Sequence, residues 1–211
     1  MFKFSRLAMI AAVFSASASA ASFDYNTVSL GYGKFSDINQ YSLKFDNQLT
    51  DNWVLTSAVR AHNENYKYSN YTYDGWINDI NVGMKYVAQV ADSADVYFGM
   101  TLNYITVSSE LDDGYYPQKV SGADFGYAVL GGFQVGVTES TSVYGEFRYT
   151  EANGDEVDVR NNMLEIGGKI HFSDSVSLSV ANIQGKVWNS RIDASRVGYD
   201  SAFYVGLNMH Y

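Results

Sequence analysis

The sequence predicts an all-β fold, an antiparallel transmembrane β-barrel of ten strands, on three observations. Apolar and polar residues alternate in runs from Asp24 to the terminal Tyr211. The composition turns away from helix, with 18 Tyr, 18 Gly and a single Pro. The connections between runs alternate between short and long. Side chains on a strand point to opposite faces in turn, so such alternation marks strands with one apolar face. An even strand count lets the sheet close, which removes edges that lipid cannot satisfy. Eight strands is the alternative count, if the first two segments form one irregular pair or the sixth is misread.

Ahead of the strands, residues 1–20 read as a signal peptide. Lys3 and Arg6 precede the apolar run Leu7 to Phe14, and the segment closes on Ala18-Ser19-Ala20. That run is too short for the roughly 20 residues a membrane helix needs. The mature domain is then residues 21–211, one domain in size. Removing Lys3 and Arg6 from the 14 basic residues leaves 12 against 23 acidic ones, a net charge near −11. Such a surface excludes nucleic acid as a partner. With no Cys, this exported chain gains nothing from disulfides and needs a packed core or closure in lipid.

The strands follow in order. Val28, Leu30 and Tyr32 alternate with Ser29, Gly31 and Gly33, and Tyr41, Leu43 and Phe45 with Ser42, Lys44 and Asp46. After Thr50-Asp51-Asn52 come Trp53, Leu55, Val59 and Ala61. Val82, Met84 and Tyr86 oppose Asn81, Gly83 and Lys85. Val96, Phe98, Met100, Leu102 and Tyr104 oppose Tyr97, Gly99, Thr101 and Asn103. A sixth run carries Phe125, Tyr127, Val129, Phe133 and Val135, and a seventh Val143, Phe147 and Tyr149 against Tyr144, Glu146 and Arg148. Leu164, Ile166, Ile170 and Phe172 alternate with Glu165, Gly167, Lys169 and His171. Val176, Leu178 and Val180 oppose Ser177 and Ser179. Phe203, Val205, Leu207, Met209 and Tyr211 make the tenth run.

Tight links fall at 50–52, 89–94, 137–141 and 173–175, and longer ones at 62–76, 106–121, 151–160 and 185–198, with a shorter link near 36–40. Transmembrane barrels carry short periplasmic turns and long external loops, so both termini are expected in the periplasm. A soluble sandwich is the competing fold. It leaves unexplained why the less apolar face holds Gly31, Gly33, Gly83, Gly99, Gly167 and Gly206, which suit a crowded lumen. Trp53, Tyr86, Tyr104, Tyr149, Phe172 and Tyr211 fit aromatic girdles at the membrane surfaces.

With the apolar face in lipid, parity points Lys44, Asp46, Arg60, Lys85, Glu146, Arg148, Glu165 and Lys169 into the lumen. Enclosed charges must pair, because an isolated buried charge is costly. Glu146, Arg148 and Glu165, on neighbouring strands, are the leading candidates for one network. A ten-stranded barrel is only slightly wider than one filled by its own side chains, so a side-chain plug is favoured over a thin channel. His62 and Asp79 near a rim, with Ser57 or Ser69, are the sole candidates for hydrolytic chemistry, and nothing beyond strand adjacency links them. No catalytic residue, metal site or cofactor is assigned, since the His residues are scattered and Gly31-x-Gly33 precedes no helix.

Two features fall in the connections. Tyr66, Tyr68, Tyr71, Tyr73 and Trp76 are candidate loop contacts for an external partner, or else an extension of the strands past the membrane. Glu110, Asp112, Asp113, Glu151, Asp155, Glu156 and Asp158 make the outer connections acidic and solvated.

The final stretch Phe203-Tyr204-Val205-Gly206-Leu207-Asn208-Met209-His210-Tyr211 resembles the ends of small outer-membrane β-barrels, the families typified by the OmpA transmembrane domain and the OmpX/Ail proteins. The resemblance covers the architecture of the mature chain. It implies residence in a Gram-negative outer membrane. It also implies contact with its lipid and lipopolysaccharide, and delivery by periplasmic chaperones to the barrel-assembly machinery. Phe203, Val205, Leu207, Met209 and Tyr211 would form the signal that machinery reads. Ten strands depart from the eight of those families, so their adhesion roles do not transfer. The expected function is a structural or surface-interaction barrel with a largely filled lumen. A narrow porin is the alternative, and a lipid- or peptide-modifying rim enzyme a more remote one.

Overall fold

The computed structural model describes residues 23–35, 38–68, 71–112, 118–154, 158–189 and 197–211, so the expected signal peptide lies outside the described residues, as do Ser69, Asp113, Asp155 and Glu156. Ten strands run β1 (Thr27–Phe35), β2 (Ile38–Gln48), β3 (Trp53–Tyr68), β4 (Tyr71–Ala91), β5 (Ala94–Asp112), β6 (Gln118–Thr138), β7 (Thr141–Asn153), β8 (Asp158–Ser173), β9 (Val176–Asn189) and β10 (Val197–His210). Each pairs antiparallel with the next. The barrel closes where β1 meets β10, from Thr27 opposite His210 to Lys34 opposite Phe203. The chain end is stitched into that seam, as the Tyr211 amide donates to the Asn26 carbonyl at 3.1 Å. Phe23, Tyr211 and the four tight turns lie at one end of the barrel, here the turn end. Phe35, Tyr68, Asp112, Asn153 and Asn189 mark the opposite, far end.

Strand lengths are uneven, with 9 and 11 residues in β1 and β2 against 21, 19 and 21 in β4, β5 and β6. A membrane crossing takes about 9–11 residues. The wall from β3 to β6 therefore continues well past the membrane at the far end. The described residues of the connections expected at 62–76, 106–121, 151–160 and 185–198 are almost all strand. Tyr66 lies opposite Tyr73, Tyr68 opposite Tyr71, and Leu111 opposite Gln118. The candidate loop residues from Tyr66 to Trp76 thus belong to a paired hairpin and not to a loop.

The reason lies in which face is apolar. On β5 the outward residues Val96, Phe98, Met100, Leu102 and Tyr104 are exposed, Leu102 at 71%, while Thr101 and Asn103 point inward and are buried. Past Tyr104 the pattern reverses. Ile105 and Val107 are buried inside, and Thr106, Ser108 and Glu110 face out. Alternation persists, but water has replaced lipid as the outer solvent. The next strand repeats the change, with Phe125 75% exposed and polar Ser121 and Lys119 beyond it. From Val96 to Tyr104 is nine residues, roughly 26 Å of strand and about 20 Å of height at a tilt near 40°.

Aromatic rings mark both edges of this band. Trp53, Tyr86 and Phe98 stack in sequence near the turn end, with centroids 5.3 and 5.7 Å apart. Tyr32 packs on Tyr41 at 5.4 Å and Tyr104 on Phe125 at 5.1 Å near the far edge. Inside, two glycines make room for rings. A side chain at Gly31 would run into Tyr204, and one at Gly132 into Tyr97.

Candidate functional site in the barrel lumen

All eight lumenal charges expected from parity face inward, and Asp79 and Asp95 join them. Five cations and these five carboxylates make up the charged layer. Their centre is Asp46 at the turn end of β2. Its Oδ2 accepts from Lys85 Nζ at 2.7 Å and lies 3.4 Å from Lys44 Nζ. Lys44 also reaches across the lumen to Glu146 at 3.9 Å. Lys85 is only 2% exposed, and its ammonium lies against the faces of Tyr25 and Tyr97, 5.8 and 5.4 Å from their centroids. Burial of this kind is tolerable because each charge has an opposite partner or an aromatic face.

The predicted trio of Glu146, Arg148 and Glu165 is joined differently. Glu146 lies directly opposite Glu165 in the β7–β8 register, and Arg148 comes no nearer to Glu146 than 4.0 Å. Glu146 instead accepts from the Tyr97 hydroxyl at 3.1 Å and Glu165 from the Tyr144 hydroxyl at 2.6 Å. Two facing carboxylates repel, and the two phenols supply donors without adding charge. Nearer the far end Arg60 pairs with Asp79 at 3.5 Å, while Asn103 and Asn81 donate to Asp79 at 2.6 and 3.2 Å.

Asp79 therefore serves Arg60. It lies opposite Arg60 in register, whereas His62 lies opposite Ile77. His62 Nδ1 is buried without a hydrogen-bond partner among the described residues, and Ser57 faces outward, so the His62–Asp79–Ser57 arrangement is not assembled. His171 and His210 meet at the turn end, 5.9 Å apart, and hydrogen-bond to Ser142 and Ser177. At the same end, outside the strands, Tyr25 donates to Asp95 at 2.9 Å. Burial and the Asp95 carboxylate push the Tyr25 phenol well above its ordinary pKa, so it stays a donor.

Beyond the charged layer an apolar cluster fills the middle of the lumen, while Glu64 and Asp124 share its inward parity opposite Ile38 and Ile105. Ile38, Ile105, Val107, Val159, Met163 and Ile183 pack together there, with Ile183 fully buried. A chamber of about 100 Å3 lies among Ser42, Lys44, Arg60, Glu146 and Tyr204, and the buried Gln40 Oε1 and Asp46 Oδ1 beside it have no partner. It suits a few waters, at roughly 30 Å3 each. A second space of about 510 Å3 opens at the turn end.

The family model described as outer membrane protein beta-barrel domain matches residues 7–172. The chain belongs to that family. It is a protein of the bacterial outer membrane, and the exposed apolar band is its surface toward lipid. No curated protein is significantly similar in sequence. Among solved structures, the barrel is similar to the KdgM porin, with 13% identity, TM-score 0.43 and 88% of this chain covering 99% of that one. It is also similar to LpxR from Salmonella typhimurium, with 10% identity, TM-score 0.45 and coverage of 88% and 100%. Ail, the attachment invasion locus protein of Yersinia pestis, gives 10%, 0.43, and 87% and 93%. At these identities and scores the likeness carries no argument about activity.

Three lumenal partners were absent from the sequence-based set. Asp79 and Asp95 each sit one alternation before the first residue assigned to their run, so extending the parity backwards by two finds both. Tyr25 precedes its strand and gives no such signal.

Proposed function

We propose that this outer-membrane barrel is a non-conducting scaffold of structural or surface-interaction type. In this reading residues 1–20 are removed on export, the turn end and both termini face the periplasm, and the tall β3–β6 wall stands outside the cell. The observation that carries it is the apolar cluster around Ile105 and Ile183, which lies across the lumen beyond the charged layer. An ion would have to cross both. The outward hairpin of β3 and β4 then offers the contact surface, with Trp76 exposed among Asn63, Ser108 and Ser121. Lipopolysaccharide would meet the far girdle of Tyr32, Tyr41, Tyr104 and Phe125. Periplasmic chaperones and the assembly machinery would handle the chain before closure, reading Phe203, Val205, Leu207, Met209 and Tyr211, all of which face outward in β10 or just after it.

A narrow channel is the second reading, favoured by the water-accessible space at the turn end. Planar-bilayer recording separates them. The closed reading expects a silent membrane with the purified barrel inserted. Regular current steps whose size changes in Arg148→Ala would establish the channel. Orientation is tested by single cysteines at Ser140 and Lys119 with an impermeant maleimide on intact cells. Labelling is expected at 119 alone, and labelling at 140 would reverse the assignment.

A further inference from the structure

The space at the turn end has the size of a ligand site, about 510 Å3 against the few hundred usual for small-molecule pockets. Its charges are ordered by depth. Gln134 and Lys169 line both this space and the inner chamber, so they form its floor. Glu139 and Asp174, in the turns, and Asp24, before β1, lie at its mouth. Lys169 is distinctive among the lumenal cations. Lys44, Arg60, Lys85 and Arg148 each have a carboxylate within 4.0 Å. Lys169 has none among the described residues. It donates to Gln134 Oε1 at 3.1 Å and rests on the Tyr144 ring at 5.3 Å, using one of its three N–H bonds.

We propose that this mouth binds a short zwitterionic peptide, its terminal carboxylate on Lys169 and its ammonium against Glu139, Asp174 and Asp24. A simple anion meets three carboxylates on entry, and a simple cation meets an uncompensated ammonium at the floor. Only a molecule with both charges, the negative one leading, complements the gradient. Phe23 and Phe172 supply apolar walls for the residues between, and Ser142 and His171 supply hydrogen bonds near the floor. Binding itself is independent of the orientation proposed above, which decides only that the periplasm supplies the peptide.

The test uses the mature chain in non-ionic detergent, with calorimetry and saturation-transfer NMR. Three probes share the tripeptide and differ in which terminal charge is kept: trialanine, N-acetyl-trialanine and trialanine amide. Trialanine is expected to bind, and each blocked form to bind about tenfold more weakly or worse, as befits loss of a charge-assisted contact. Lys169→Gln, which keeps a donor for Gln134, is expected to weaken trialanine by a similar factor. Because that variant alters the lumen, a second changes only the turns. Glu139→Gln with Asp174→Asn should weaken trialanine and narrow its advantage over N-acetyl-trialanine. Absence of trialanine binding, equal binding of a blocked form, or unchanged binding in either variant would overturn the proposal.

Discussion

Asp46 holds the turn-end half of the charge network, and replacing it with Asn should be among the most destabilising single changes in the barrel. The substitution keeps shape and removes charge. It leaves Lys85, 2% exposed, without a carboxylate, since its ion pair is with Asp46 at 2.7 Å. Lys44 loses its nearer partner and keeps Glu146 at 3.9 Å. Removing one partner of a buried pair costs about 3–5 kcal/mol, chiefly as the penalty of the charge left behind. The aromatic faces of Tyr25 and Tyr97 offset part of that for Lys85, which places the expected loss near the lower end of the range. The assay is urea unfolding of the barrel in lipid, read by the shift between folded and unfolded bands on unheated gels. Lys85→Met in the Asp46→Asn background removes the orphaned ammonium and should recover more than half of the loss, a coupling expected of groups in direct contact. The reasoning fails if Asp46→Asn lies within about 1 kcal/mol of the parent, well below the range for a broken buried pair. It fails equally if the two changes simply add.

The remaining predictions concern closure. Gly132→Leu should prevent folding or cost about 1–3 kcal/mol as overpacking, because the new Cβ meets the Tyr97 hydroxyl and also the Gly145 backbone carbonyl, which cannot yield. Gly131→Ala, one residue away on the outward face, finds its nearest atom at 3.6 Å and should be neutral in the same gel assay. Tyr211→Ala removes hydroxyl contacts with Asn47 and the Asp46 carbonyl at 3.3 and 3.4 Å. It should slow insertion in cells far more than refolding into detergent, and equal effects in the two settings would deny it a signalling role.

The strand count and the two faces of the membrane zone were legible in the sequence because a period of two over nine residues has no other reading once lipid is the outer solvent. The far half was harder. After Tyr104 the run Ile105, Thr106, Val107, Ser108 alternates as strictly as before, but with reversed sense, and residues judged by membrane polarity look like a loop. The lumenal charges were legible one by one from parity. Their partners were not. Lys44 on β2 meets Glu146 on β7 only because the closed barrel sets the stagger of its strands, which no local pattern encodes. Glu165 finds Tyr144 through the β7–β8 register, a diagonal contact that depends on a pairing offset the alternation alone leaves open.

The reversal of polarity along β5 is the feature on which the account depends, since it fixes the membrane edge and the apolar filling of the lumen together. It can be measured directly with single spin labels at positions 98, 100, 102, 106, 108 and 110 in lipid bilayers. The native chain has no Cys to interfere. Labels at 98, 100 and 102 should relax with oxygen, the lipid-soluble agent, and those at 106, 108 and 110 with a water-soluble nickel complex. If 106–110 remain oxygen-accessible and shielded from nickel, the membrane extends past Tyr104 and the sealed, projecting barrel is wrong.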